Sequence, residues 1–171
     1  PAEAVGELDR ALEVASKAGA RNSMIECLGL RAEALIDSNA LEEADKVSLE
    51  AVRLLEEYPG LLDCSQEIWF TRHRALTALH SGGLKSGDPD AALRRAYILL
   101  REKADAFEDP DLRSAFIESL PRHREIDRAH AELLTRMREE AGTRERSFYE
   151  IAKSLHSIVD LDPLLDHLLE L

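Results

Sequence analysis

None of the six prolines interrupts a helical period. Pro1, Pro59, Pro89, Pro110, Pro121 and Pro163 stand at the start of the chain or beside the ends of apolar-periodic segments. Proline removes a backbone donor and clashes with the preceding turn, so its confinement to boundaries marks out where helices can run. Short punctuators fall in the same places: Ala18-Gly-Ala, Ser38-Asn-Ala, Tyr58-Pro-Gly, residues 81–90, Glu108-Asp-Pro and Leu120-Pro. Between them apolar residues recur three and four apart, and no stretch alternates in the manner of a strand. The pattern predicts an all-α chain.

The expected helices cover residues 2–17, 22–36, 41–57, 65–80, 90–107 and 111–119, with Asp88-Pro-Asp as the start signal of the fifth. A long seventh helix is expected from residue 121 to about residue 159, with Pro121 in its first turn, where a missing N–H costs nothing. A last segment follows Asp162-Pro163. Composition agrees: Ala, Leu, Glu and Arg dominate, and these lose little rotamer freedom in a helix.

A net charge of −12 argues against a nucleic-acid surface, since phosphates are held by clustered Lys and Arg. The basic residues between Arg122 and Arg128 are interrupted by Glu125 and Asp127. No stretch approaches the roughly 18 apolar residues needed to cross a bilayer, and the N-terminus lacks a signal-peptide pattern. The expectation is a cytoplasmic protein with no membrane partner. Cys27 and Cys64 lack CxxC spacing and sit among apolar neighbours, so buried thiols are expected instead of a disulfide.

Internal similarity sharpens the fold. Ala32, Ala44 and Ala51 stand twelve and then seven residues apart, with Leu28 and Leu35 at large apolar positions and Pro59 near the closing turn. Ala75, Ala92 and Leu99 repeat the idea after an insertion in residues 82–88, and Ala4 and Ala11, with Leu8 and Leu12, match a second half only. This resembles the tetratricopeptide repeat, in which small residues let the two helices of a hairpin touch. The chain reads as beginning in mid-repeat. The intervals from Ala4 to Ala44 and from Ala44 to Ala92 are 40 and 48 residues, longer than the usual 34 or so, and the Gly-Tyr pair of the first helix is missing. A plain antiparallel bundle accounts for the same segments.

The resemblance implies antiparallel hairpins in a right-handed superhelix over residues 1–120, with the inner face of each first helix forming a groove. Counted from Ala32 and Ala75, that face carries Glu26, Gly29, Glu33 and Ile36, then Trp69, Arg72, Leu76 and Leu79. Glu26, Glu33, Trp69, Arg72 and Leu76 are the expected partner-binding residues, for a protein or peptide or another domain of the same chain. Trp69 as a core residue is the plainer reading. Gly29 and Glu33 stand where chaperone-binding members carry Lys and Asn, so that activity is not implied.

From Leu134 a heptad can be written through Met137, Ala141, Arg144, Phe148, Ile151, Leu155 and Ile158. Such a seam suits a parallel coiled-coil homodimer, with Leu134, Met137, Phe148, Ile151, Leu155 and Ile158 as its contacts. Arg144 and Gly142 weaken its centre, and folding back onto the hairpins is the competing arrangement.

Phe148-Tyr-Glu-Ile-Ala-Lys-Ser-Leu-His-Ser-Ile-Val-Asp-Leu-Asp-Pro-Leu-Leu-Asp-His-Leu-Leu looks like the helix leading into a GAF sensor domain. Phe116-Ile-Glu-Ser-Leu-Pro-Arg-His-Arg-Glu-Ile resembles the closing segment of tetratricopeptide arrays in large bacterial regulators, such as sigma-54-type activators and sensor kinases. The resemblance implies a signalling helix over residues 121–160 and the start of a GAF-like domain at 161–171.

Chemistry is harder to find. The sequence has no GxxxxGK[ST], GxGxxG or HExxH. His73 and His80, like His123 and His130, are seven apart, a spacing that reads as surface histidines rather than a metal pair. No catalytic, cofactor or metal site is expected. The reading is a non-enzymatic interaction and signal-coupling module; a structural spacer or dimerisation element without a ligand is the other reading.

Overall fold

The structure, a computed structural model, describes the backbone of residues 2–158 and the side chains of residues 3–153. The expected GAF-like start at 161–171 lies outside the described residues, as do the side chains of the seam residues Leu155 and Ile158. The described residues form seven helices and no strand: α1 (Ala2–Ala18), α2 (Arg21–Asp37), α3 (Leu41–Glu57), α4 (Ser65–Ser81), α5 (Pro89–Asp105), α6 (Pro110–Ser119) and α7 (Pro121–Ile158). The chain is all-α, and no described helix is long and apolar enough to cross a membrane.

Local chemistry sets the boundaries. α1, α2 and α4 end on the same device, a left-handed residue followed by a backbone bond reaching five residues back. Ala20 N donates to Ala15 O at 2.9 Å, Ala40 N to Leu35 O at 2.9 Å, and Leu84 N to Leu79 O at 3.1 Å. The left-handed residues are Gly19, Asn39 and Gly83, with φ of 65°, 60° and 83°. At the other end, Asp88 caps α5 by accepting from Asp90 N and Ala91 N, and Asp109 caps α6 by accepting from Asp111 N. A proline follows each cap at the first helical position.

The described residues divide into two units, the first ending at His130 and the second beginning at Ala131. In the first, each helix from α1 to α6 packs against its neighbour in sequence, and α2 also packs against α4. The core sits where α2, α3 and α4 meet, around Ile25, Leu28, Ala32, Ala44, Ala51, Ile68 and Ala75. The fold is repeat-like: a helix pair is laid down, then another beside it, with α2 and α4 as the adjoining members. Gly29 lies at that junction, where an added Cβ would come within 2.7 Å of Ile68 Cδ1.

Two registers differ from the sequence reading. In α1 the apolar face consists of Val5, Leu8, Leu12 and Ala15, whereas Ala4 and Ala11 are exposed. In α5 the buried set is Ala92, Leu93, Ala96, Leu100 and Ala104, and Leu99 is only half-buried. A seven-residue step turns only about 20° short of two full turns, so it picks out residues that share a face without saying whether that face is the buried one.

The first unit runs past the expected boundary at residue 120 to His130. Ile126 and His123 explain this, at 0% and 2% exposure. α7 continues unbroken through Gly142 to Ile158.

Candidate functional site

The junction of α2 and α4 leaves a cleft of about 210 Å³. α2 supplies Glu26, Gly29, Leu30 and Glu33; α4 supplies Glu67, Ile68 and Thr71; Cys64 and Arg122 complete the lining. Gly29 keeps the cleft open by bringing no side chain to it. Leu30 is 59% exposed, an apolar side chain left in solvent beside two carboxylates.

Glu33 is the best-connected group in the cleft. Its Oε1 accepts from Thr71 Oγ1 at 2.7 Å, and Arg122 Nη2 lies 3.5 Å from the same oxygen. Its Oε2 pairs with Arg74 Nη1. One half-buried carboxylate thus joins α2, α4 and the first turn of α7. Burial, together with the Arg122 charge beside it, pulls the Arg74 guanidinium below its usual value. Two cations crowding one acid make that acid structurally expensive to remove.

Glu26 and Glu67 differ, since neither has a Lys or Arg within ion-pair distance among the described residues; Glu67 lies 4.0 Å from His123 Nε2 and in the longer-range field of Lys103. Their field is felt at Cys64, whose thiol is pushed up by burial, then by Glu67 and Glu26. Cys64 is therefore held as the neutral thiol, and both cysteines are free. The cleft offers a cation two carboxylates that no Lys or Arg contacts directly, next to the apolar surface of Leu30 and Ile68.

The five expected partner-binding residues do not share one face. Glu26 and Glu33 meet in this cleft. Trp69 is half-buried on another side of α4, where it lines a cavity of about 480 Å³ with Pro59, Arg95, Leu99 and Lys103. Leu76 is 2% exposed and Arg72 6%, so both lie inside the helix stack instead of lining a groove. Arg72 Nη1 donates to the Asp45 carbonyl at 2.8 Å and to Ser48 Oγ at 3.0 Å, and pairs with the Asp45 carboxylate. It fastens α4 to α3.

The histidines expected at the surface also turn out to be structural. His123 is 2% exposed. Its Nδ1 lies 2.9 Å from the Phe116 carbonyl, which can only accept, so Nδ1 carries the proton and Nε2 accepts from Gln66 Nε2 at 3.0 Å. His130 stacks on Tyr97 with ring centroids 3.7 Å apart and planes at 7°. His73 stacks on Phe70 and reaches the Pro89 carbonyl.

Among the described residues, no group of three or more His, Cys, Asp or Glu side chains is placed to hold a metal ion. Of the seam residues, Leu134, Met137, Phe148 and Ile151 are 40%, 46%, 74% and 58% exposed. No family model, curated protein or solved structure matches the chain.

Proposed function

We propose that the chain is a non-enzymatic interaction and signal-coupling module, built of tetratricopeptide-like hairpins, in a cytoplasmic bacterial regulator or sensor. The cleft between α2 and α4 receives a basic, partly apolar segment of a protein partner or of another domain. α7 carries the resulting change onward, as a homodimer, towards a GAF-like domain that follows it.

The observation that carries this reading is the position of Arg122. It lies in the first turn of α7, lines the cleft, and reaches Glu33 at 3.5 Å. An incoming Lys or Arg drawn by Glu26 and Glu67 arrives beside the pair that anchors the start of the exit helix. Occupancy therefore brings a second cation against Glu33 and competes with Arg122 for that one carboxylate. The pairing of α2 with α4, each a first helix of a hairpin, supports the repeat reading, as do the shared helix-ending turns.

Selection of displayed random peptides on the purified chain tests the cleft. Enriched peptides should combine Lys or Arg with Leu, Ile or Phe, and Glu26→Lys with Glu67→Lys should abolish their binding without lowering the melting temperature. Enrichment of acidic peptides, or binding indifferent to the double reversal, would sink the proposal; no enrichment at all would favour a spacer.

A further inference from the structure

We infer that two copies of α7 pair antiparallel, about a centre between Gly142 and Thr143, and not in the parallel register that the heptad first suggests. The inference rests on the homodimer reading above and concerns residues 134–151, whose helix is unbroken and whose apolar side chains are exposed.

In the heptad, Leu134, Ala141 and Phe148 take the a positions and Met137, Arg144 and Ile151 the d positions. Gly142 then falls at b, facing away from the seam, and its missing side chain takes nothing from the pairing. In a parallel dimer every seam residue meets its own copy. Arg144 would face Arg144 of the second copy, a pair of desolvated like charges, and Phe148 would face Phe148 while Ala141 faced Ala141. Bulk would meet bulk in one layer and leave a void in another. The flanking g and e positions add to the cost, because Glu140 would lie opposite the second copy's Glu145 on both sides.

Turning one helix round changes each term. Layers then pair a with d: Leu134 with Ile151, Met137 with Phe148, and Ala141 with Arg144. The small alanine makes room for the arginine stem, and the two Arg144 groups no longer share a layer. Antiparallel helices set e against e, so Arg138 meets the second copy's Glu145 twice, and g against g, so Glu140 meets Ser147. Size and charge favour the same orientation.

The test uses the full chain with Cys27→Ser and Cys64→Ser, and the exposed positions 137 and 148 for single cysteines. Light scattering at high micromolar concentration should report a dimer. When Met137→Cys and Phe148→Cys chains, one of them tagged, are mixed in a glutathione redox buffer, the mixed disulfide should exceed either homodisulfide several-fold. Homodisulfides in excess would overturn the antiparallel pairing and leave the dimer standing, whereas a monomer would overturn both. A charge variant gives the sign independently. Glu145→Arg should weaken the antiparallel dimer about tenfold, and Arg138→Glu in the same chain should restore it. A parallel dimer would instead be tightened by Glu145→Arg, because the new cation would face Glu140.

Discussion

Replacing Arg72 by Met keeps most of the apolar stem and removes the guanidinium, so it isolates what the charge does. The group is 6% exposed and holds the Asp45 carboxylate, the Asp45 carbonyl and Ser48 Oγ. Removing one partner of a buried pair costs about 3–5 kcal/mol, because the other charge is left uncompensated. Asp45 keeps 17% of its side-chain surface in water and a hydrogen bond from Ser86 Oγ at 2.9 Å, which softens the loss. An estimate of about 2–3 kcal/mol follows. With an unfolding entropy of about 2.1 cal/mol/K per residue, a unit the size of residues 1–130 loses roughly 4 °C per kcal/mol, hence about 7–11 °C. Differential scanning calorimetry of the variant reads this directly. Asp45→Asn added to Arg72→Met should cost far less than the sum of the two single changes, by about 1–3 kcal/mol of coupling. A melting temperature within about 2 °C of the parent would refute the reasoning and return Arg72 to the surface role its helical period suggests.

Two further outcomes follow from the histidines. His123→Phe strands the Phe116 carbonyl and the Gln66 amide and should cost about 1–3 kcal/mol in urea melts. Gln66 Oε1 already lacks a partner among the described residues, so Gln66→Leu added to His123→Phe should recover part of that loss. Burial and the nearby Arg94 lower the His130 pKa below 6.5, with Asp127 opposing. The unfolded chain therefore binds the proton more readily than the folded one. The contribution is present above the unfolded value and is lost as pH falls through it towards the lower folded value. Urea midpoints of the parent should fall more than those of His130→Gln between about pH 7.5 and about pH 5.5, and parallel curves would contradict this.

Helix ends were far more legible than helix faces. Gly19, Asn39 and Gly83 mark chain reversals because a left-handed residue ends a helix whatever it packs against. Faces depend on neighbours. α3 is buried along one stripe, from Ala44 through Val47, Ala51 and Val52 to Leu55, and its period is plain. α2 packs against α1, α3 and α4 at once, so apolar residues surround it and no single stripe picks out the open side. α4, enclosed by α2, α3 and α5, has the same difficulty, and for that reason Arg72 and Leu76 read as groove residues. The role of Gly29 had one available signal, a glycine kept in mid-helix at a cost of roughly 1 kcal/mol, which asks for a close approach. His123 offered none, because its partners Gln66 and Phe116 come from other helices.

Glu33 is where binding and transmission can be separated by experiment. Glu33→Gln keeps an oxygen for Thr71 but removes the charge that holds Arg74 and Arg122. Arg74 and Arg122 have side chains 33% and 29% exposed, so each contact is partly screened, and together they are worth about 1–2 kcal/mol. If the first turns of α7 are held down through this carboxylate, amide exchange over residues 124–130 should quicken by about tenfold, the equivalent of about 1.4 kcal/mol. Exchange within α3, which has no bond to Glu33, should stay as it was. A uniform acceleration across residues 1–130 would mean that Glu33 merely stabilises the whole unit. Unchanged exchange at 124–130 would mean that α7 is anchored by Ile126 and His123 alone. A peptide selected on the cleft should quicken the same amides in the parent chain and leave those of Glu33→Gln nearly unaffected, because the contact it competes for is already gone.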